Sequence, residues 1–293
     1  MSLRAYQVLI TGASRGLGTY VARSFWREGA DLLLVARTQS ALEALRTDLL
    51  RQGAPEQRAH ILPLDLTQPS AIEDVMAQVK THFGGIDVLI NDAGDQGPIG
   101  PIWENDWREW EQSLRLNLLV PTALCRACIP LMAARGRGHI INLSGGGATG
   151  PRPNFSAYAV AKVGIVRLTE TLAQEALRHN IAVNCIAPGA MYSLMQDCIL
   201  RAGPIRAGDK DYRTAERLKT KAATGDDSVA RQAAELCVFL ASPEAAGVTG
   251  KLISAVWDPW RELGVHRQDL AATDVYTLRR IVPRDRNLSW GRD

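Results

Sequence analysis

Seven short apolar runs recur along the chain, at residues 8–10, 32–35, 60–62, 88–90, 140–143, 182–186 and 252–254. Between them lie stretches with helical periodicity: 16–28, 41–50, 70–83, 103–134 (with a break expected near Pro121), 156–179 and 229–240. The runs do not alternate polar with apolar residues, so both faces of each strand must be covered. Strand and helix in strict alternation imply right-handed βαβ units. The expected fold is a doubly wound parallel sheet of Rossmann type, with three α/β/α layers and ligands at the C-terminal strand ends. A chain of 293 residues is long enough for one such domain, expected over 1–256 with an extension at 257–293.

Two segments break the rhythm. Residues 189–226 carry glycines, Pro204 and many charges, and read as a long mobile insertion over a substrate. Residues 257–293 hold three of the seven tryptophans, which argues against disorder. Covering the substrate pocket is the role expected of this extension. Its end is basic, with Arg279, Arg280, Arg284, Arg286 and Arg292 against Asp285 and Asp293, and reads as a solvated tail or as a patch for an anion.

A formal net charge of +3 is too mild to argue for nucleic acid. No signal-peptide pattern and no apolar run of spanning length is expected, so a cytoplasmic setting is the default. Five cysteines at wide spacing do not make a disulfide framework. Cys125 and Cys128 fall in a buried helical pattern and read as packing, and no metal site is expected.

The first run leads into Thr11-Gly12-Ala13-Ser14-Arg15-Gly16-Leu17-Gly18. Glycines between a strand and a helix let backbone approach a pyrophosphate, and the helix N-terminus supplies free N–H groups. The spacing is GxxxGxG. Further along, Tyr158 and Lys162 stand four apart in a helical pattern and so share a face. An ammonium beside a phenol lowers its pKa toward the working range of a proton-transfer group. Ser144 ends the fifth run, where its hydroxyl can bond a developing oxyanion, and Asn117 precedes it in Leu116-Asn117-Leu118.

With these motifs the sequence resembles the short-chain dehydrogenase/reductase family over about residues 5–256. The resemblance implies a dinucleotide cofactor and the tetrad Asn117, Ser144, Tyr158 and Lys162. Asn117 is implied to mark a helix irregularity with a water that links to the lysine. The resemblance also implies an adenine contact at Asp65-Leu66 and a cofactor loop at Asn91-Asp92-Ala93-Gly94, in which Asp92 replaces the family's second Asn. It implies a turn at Pro188-Gly189 that holds the nicotinamide, with Met191 at the carboxamide and Ser193 in place of a usual Thr. Ala36 stands where NAD-preferring members carry an aspartate. Arg37 follows it and Arg15 lies in the glycine loop, a pair suited to a 2′-phosphate, so NADP(H) is favoured over NAD(H).

The expected activity is therefore hydride exchange with a small-molecule carbonyl or secondary alcohol. Gly145, Gly146, Tyr192 and Met195 are candidate substrate contacts, with Arg201 and Arg206 behind them. Arginines in the variable segments hint at a polar or anionic metabolite, such as a sugar derivative. An acyl-carrier thioester is another candidate. Trp103, Trp107 and Trp110 form a stripe read as core or subunit contact. The resemblance places the helices of Asn117 and Tyr158 at subunit interfaces of a homodimer or homotetramer. An NAD-linked alcohol dehydrogenase, a nucleotide-sugar epimerase and a non-catalytic cofactor sensor remain as alternatives.

Overall fold

The computed structural model describes residues 2–289. Arg292 and Asp293 of the basic end, and Trp290, lie outside the described residues. The apolar runs become strands β1 (Gln7–Thr11), β2 (Asp31–Ala36), β3 (Ala59–Pro63), β4 (Val88–Asn91), β5 (Gly138–Leu143), β6 (Ile181–Ala187) and β7 (Leu252–Ser254). They form one parallel sheet in the order β3-β2-β1-β4-β5-β6-β7. The order reverses between β1 and β4, which opens a crevice at their C-terminal ends.

Side-chain alternation explains the unbroken apolar runs. Val8 and Ile10 of β1 pack into a layer with helices α1 (Leu17–Arg27), α2 (Gln39–Gln52) and α9 (Ser228–Ala241). Leu9 points to the opposite layer, made by α3 (Ala71–Phe83), α5 (Val120–Arg135) and α6 (Ser156–Ala176). Strand β2 divides in the same way, Leu32 and Leu34 against Leu33 and Val35.

Between β4 and α5 the helical ladder is not regular. Helix α4 (Trp107–Leu114) passes into a π turn over Arg115–Leu119 and then into α5. The break expected near Pro121 falls just before it, because Pro121 sits in the first turn of α5, where its missing N–H is no loss. The whole stretch Trp107–Arg135 is long and apolar enough to cross a membrane by length and composition, which corrects the expectation that no such run exists. Leu124, Cys125, Cys128 and Met132 bury its inner face against the sheet, as a core helix does. All five cysteines are free.

Residues 189–226, whose composition reads as a mobile insertion, are largely helical. They fold into α7 (Leu194–Ala207) and α8 (Asp209–Ala223). Gly203 and Gly208, both at positive φ, make the kink and the connector, and the charges form the outer face of α8. A small core of Phe155, Ile199, Ala207 and Ala215 seats this hairpin on the loop before α6. The tryptophan stripe is not core either: Trp103 precedes α4 and is 82% exposed, and Trp107 is 60% exposed. Trp107 stacks on Trp110 at 5.0 Å between ring centroids.

The C-terminal extension docks on its own chain. Trp260 is buried against Phe239 of α9, and its Nε1 donates to the Ala255 carbonyl at 3.1 Å. Helix α10 (Arg267–Ala272) buries Leu270 in the same layer. Beyond it, Leu252 of β7 donates its N–H to the Tyr276 carbonyl at 2.8 Å, so the extension covers the sheet edge. Lys251 Nζ donates to the carbonyls of Thr273 and Val275, and Leu278 N–H donates to Glu170 of α6. These anchors lie on β7, α6 and α9, not on α7 and α8, so they do not bear out the expected cover over the substrate pocket.

Candidate active site

The C-terminal ends of β1, β4 and β5 bring the predicted residues together. Gly12 leaves β1 at φ +73°, and a Cβ there would lie 2.9 Å from the Ala93 backbone. Only glycine allows these two loops to touch. At Gly18 a Cβ would come 2.4 Å from the Gly12 carbonyl oxygen, so the first turn of α1 is packed onto the loop. Gly16 is the N-cap of α1 and makes no side-chain cap, so N–H groups at the helix start are left for a ligand. Ser14 and Arg15 lie on this loop, and Leu17 is buried as the first helical residue. Arg15 and the strand-end Arg37 are both exposed. Arg37 acts on Asp65, whose carboxyl is held below its usual range by the Thr67 N–H and hydroxyl, with Arg37 adding to it. Leu66 is buried beside it.

Thr11 joins the first loop to the second. Its hydroxyl donates to the Ile90 carbonyl at 3.2 Å and accepts the N–H groups of Asp92 and Ala93. Asn91 is buried and donates to Asn142 at 2.8 Å, which donates to Thr169 at 2.9 Å, a polar chain across β4, β5 and α6. Asp92 is partly buried against Gly18. Desolvation pushes its carboxyl up to about 7, against the pull of the Lys162 charge and the Gly18 N–H. The exchange of Asn for Asp was visible in the sequence, but the desolvation that gives it consequence was not.

The irregularity implied for Asn117 is the π turn itself. The Asn117 side chain is buried and donates to Asp95 Oδ1 at 3.0 Å and to the Ser113 carbonyl at 3.0 Å. Its Oδ1 is buried without a partner among the described residues and would meet a Cβ on Gly94 at 2.7 Å, so Gly94 keeps this corner open. Met195 reaches the same glycine from α7, 3.6 Å from that Cβ position.

Ser144, Tyr158 and Lys162 are each at least nine-tenths buried. Among the described residues Ser144 Oγ has no hydrogen-bond partner. Gly145 makes room for the phenol: a Cβ there would lie 2.2 Å from the Tyr158 hydroxyl. Lys162 donates to the Leu143 carbonyl at 2.9 Å and sits 5.3 Å from the centroid of the Tyr158 ring. The ammonium was expected to lower the Tyr158 pKa. Instead, burial pushes the phenol up to about 12, with the charges of Asp92 and Asp95 adding to it and Arg152 opposing. Burial lowers Lys162 in turn. The buried phenol therefore keeps its proton at neutral pH.

On the substrate side, Gly189 follows Pro188 at φ +90°, and a Cβ there would strike Val256 at 2.6 Å. Met191 packs against the layer of α1 and α9, and Ser193 caps α7 by accepting the Met195 N–H at 3.3 Å. Tyr192 donates its hydroxyl to Asp197 on the same helix. Two expected substrate contacts are engaged elsewhere. Arg206 donates to the Ile99 carbonyl at 3.0 Å and pairs with Glu104, and Arg201 bonds Cys198. Arg152, which the sequence reading passed over, stands in the cleft beside Gly146, which was a candidate, and over the Tyr158 ring.

The sequence profile of the short chain dehydrogenase family matches residues 6–202. The chain belongs to this family. It is a short-chain dehydrogenase/reductase, an oxidoreductase of alcohol and ketone substrates whose family binds a nicotinamide cofactor. It is 32% identical over 249 residues to a D-beta-hydroxybutyrate dehydrogenase of Rhizobium meliloti, covering 84% of this chain and 95% of that one. It is 30% identical over 253 residues to a 3-oxoacyl-(acyl-carrier-protein) reductase of Vibrio cholerae, covering 86% and 96%. Among solved structures, L-sorbose reductase from Gluconobacter frateurii, complexed with NADPH and L-sorbose, aligns with a TM-score of 0.74 at 28% identity, covering 86% and 95%. An NAD+-bound xylitol dehydrogenase shares the fold, with a TM-score of 0.75 at 24% identity over 87% and 98%.

Proposed function

We propose that this short-chain dehydrogenase/reductase is an NADP(H)-dependent carbonyl reductase in which Tyr158 is the general acid and base. The observation that carries the reading is the Tyr158 phenol seated in the gap that Gly145 leaves, next to the unpartnered Ser144 hydroxyl. The residues present suit a dinucleotide. The Gly12–Ala93 contact leaves no side chain between the two loops, and the α1 N-terminus is uncapped. Gly12, Ser14, Arg15, Gly16, Leu17 and Gly18 would hold the pyrophosphate, and Asp65, Leu66, Asn91, Ala93 and Gly94 the adenosine and ribose sides. Pro188, Gly189, Met191 and Ser193 would hold the nicotinamide end. When bound, the cofactor supplies or accepts the hydride.

The chain's own residues manage the proton. Tyr158 donates its phenolic proton to the carbonyl oxygen of a ketone, and the Ser144 hydroxyl donates a second bond to that oxygen. Lys162 is anchored on the Leu143 carbonyl beside the ring, where its ammonium form favours the phenolate once the proton has left. Asn117 holds the π turn against Asp95.

Arg15 and Arg37, exposed at the adenosine end with Ala36 in place of an acid, support NADP(H) over NAD(H). An NAD-linked dehydrogenase is the second reading, favoured by a neighbour of that fold with NAD+ bound. A polar or anionic metabolite, such as a sugar derivative, is the proposed substrate, contacted from Gly145, Gly146, Tyr192 and Met195. Leu119, Val160 and Val163 are exposed on the helices of Asn117 and Tyr158 and support a homodimer or homotetramer. Five free cysteines suit a reducing, cytoplasmic setting.

The test is oxidation of NADPH and of NADH over a panel of ketones, ketosugars and acyl thioesters. NADPH is expected to give at least ~10-fold higher kcat/KM than NADH. Equal or better use of NADH overturns the cofactor assignment, and no reduction of any carbonyl overturns the activity.

A further inference from the structure

Arg152 lies in the loop between β5 and α6, six residues before Tyr158. Its guanidinium carbon is 3.9 Å from the Phe155 ring centroid and 5.6 Å from that of Tyr158. Its side chain is only 16% exposed. Nε and Nη2 both donate to the same oxygen, Oδ1 of Asp211 on α8, at 3.0 and 2.7 Å. Among the described residues Nη1 has no hydrogen-bond partner, and it lies 3.8 Å from the Cβ position of Gly146. A largely desolvated cation thus stands over the proton-donating phenol, with one edge turned to a row of glycines that leaves the cleft open.

We infer that Arg152 is the anchor for a carboxylate on the carbonyl substrate, and that Asp211 is the resident counter-ion which the substrate carboxylate displaces. The inference rests on the reductase reading and names its substrate class: a short oxo acid whose carboxylate lies a few bonds from the reacting carbonyl. A single guanidinium matches one negative charge and two oxygens, as a carboxylate offers. A phosphate dianion would need further cations, and Lys162 is already committed to the Leu143 carbonyl. Two cation–π contacts and the Asp211 pair hold the guanidinium, so little ordering remains to be done on binding. Phe155 also belongs to the small core that seats the α7–α8 hairpin, so the anchor and the hairpin share one support.

A plain loop-to-hairpin ion pair predicts that removing either partner has the same effect. The substrate anchor predicts opposite effects. The experiment compares wild type, Arg152→Gln and Asp211→Asn, each saturated with NADP+. Calorimetry measures binding of butyrate and its neutral isostere butyramide, and NADPH oxidation measures reduction of 4-oxopentanoate and its methyl ester. Arg152→Gln is expected to weaken butyrate and to raise KM for 4-oxopentanoate by ~30-fold, with butyramide binding and the KM for the ester within ~3-fold of wild type. Asp211→Asn is expected to tighten butyrate and lower that KM by ~3- to 10-fold, because the competing anion is gone. Changes of the same sign in both variants, or equal changes for charged and neutral ligands, overturn the inference. Absence of butyrate binding to wild type does the same. If butyrate binds as described but no carbonyl is reduced, the reductase reading fails while the anchor stands. If 4-oxopentanoate is reduced without dependence on Arg152, only the anchor fails.

Discussion

Replacing Asp92 by Asn should stabilise the cofactor-free chain at alkaline pH and leave it unchanged at acid pH. Asp92 follows β4 with its N–H on the Thr11 hydroxyl and its carboxylate against Gly18. Desolvation outweighs the Lys162 charge and raises the carboxyl from 3.8 to about 7. Between those values the native chain holds one more proton than the unfolded chain. Stability therefore falls as pH rises through this window, and the loss is complete above the folded value. The gap spans roughly three pH units, at most ~4 kcal/mol at ~1.4 kcal/mol per unit. Asp92 is only partly buried, so solvent screens part of this, and about 1–2 kcal/mol is the working figure. Asn keeps the shape and the acceptor for the Gly18 N–H but cannot ionise. At pH 8 the variant should melt roughly 2–6 °C above wild type, and at pH 5 the difference should shrink to about a third of that. Scanning calorimetry from pH 5 to 8.5 measures this directly, because titrating groups that do not interact with Asp92 cancel in the difference. A difference that does not change with pH, or a variant less stable at pH 8, refutes the reasoning.

Two further outcomes follow from packing. Gly145→Ala should leave folding intact but lower kcat by ~100-fold or more, because its methyl would displace a phenol that now lies 2.2 Å from that position. Circular dichroism with steady-state kinetics checks this, and near-normal turnover counts against the placement of Tyr158. Deleting residues 262–293 removes Leu263, Leu270 and the Tyr276 carbonyl that covers β7. It should lower the melting temperature by more than about 5 °C and promote association through the bared strand edge, seen by light scattering. A truncated chain as stable and as monodisperse as the full one contradicts that account.

The sheet was readable because its strands are buried on both faces, and such burial writes itself into consecutive apolar residues such as Leu32 to Val35. The glycine loop was readable because backbone contact at Gly12 excludes every side chain, which leaves a trace in residue type. The hairpin of α7 and α8 was misread because its glycines sit between helices rather than in a loop. Its contacts with Phe155 are long-range, and no local pattern announces them. The tryptophan stripe misled because Trp103 lies in a separate 3-10 turn, Ile102–Glu104, before α4, so one α-helical spacing does not run through all three. Desolvation is a property of the folded environment alone. The raised values of Asp92 and Tyr158, and the placing of Arg152 over the phenol, could therefore be seen only once the strand ends had converged.

The central claim concerns the Tyr158 proton. Tyr158→Phe retains the ring that fills the gap at Gly145 and removes only the hydroxyl. Stopped-flow measurement of NADPH oxidation with a reducible ketone, alongside fluorescence titration of NADPH, separates chemistry from binding. The account predicts a fall in the hydride-transfer rate of ~1,000-fold or more, with the NADPH dissociation constant within about 3-fold of wild type. A Phe variant that keeps most of its turnover would contradict it.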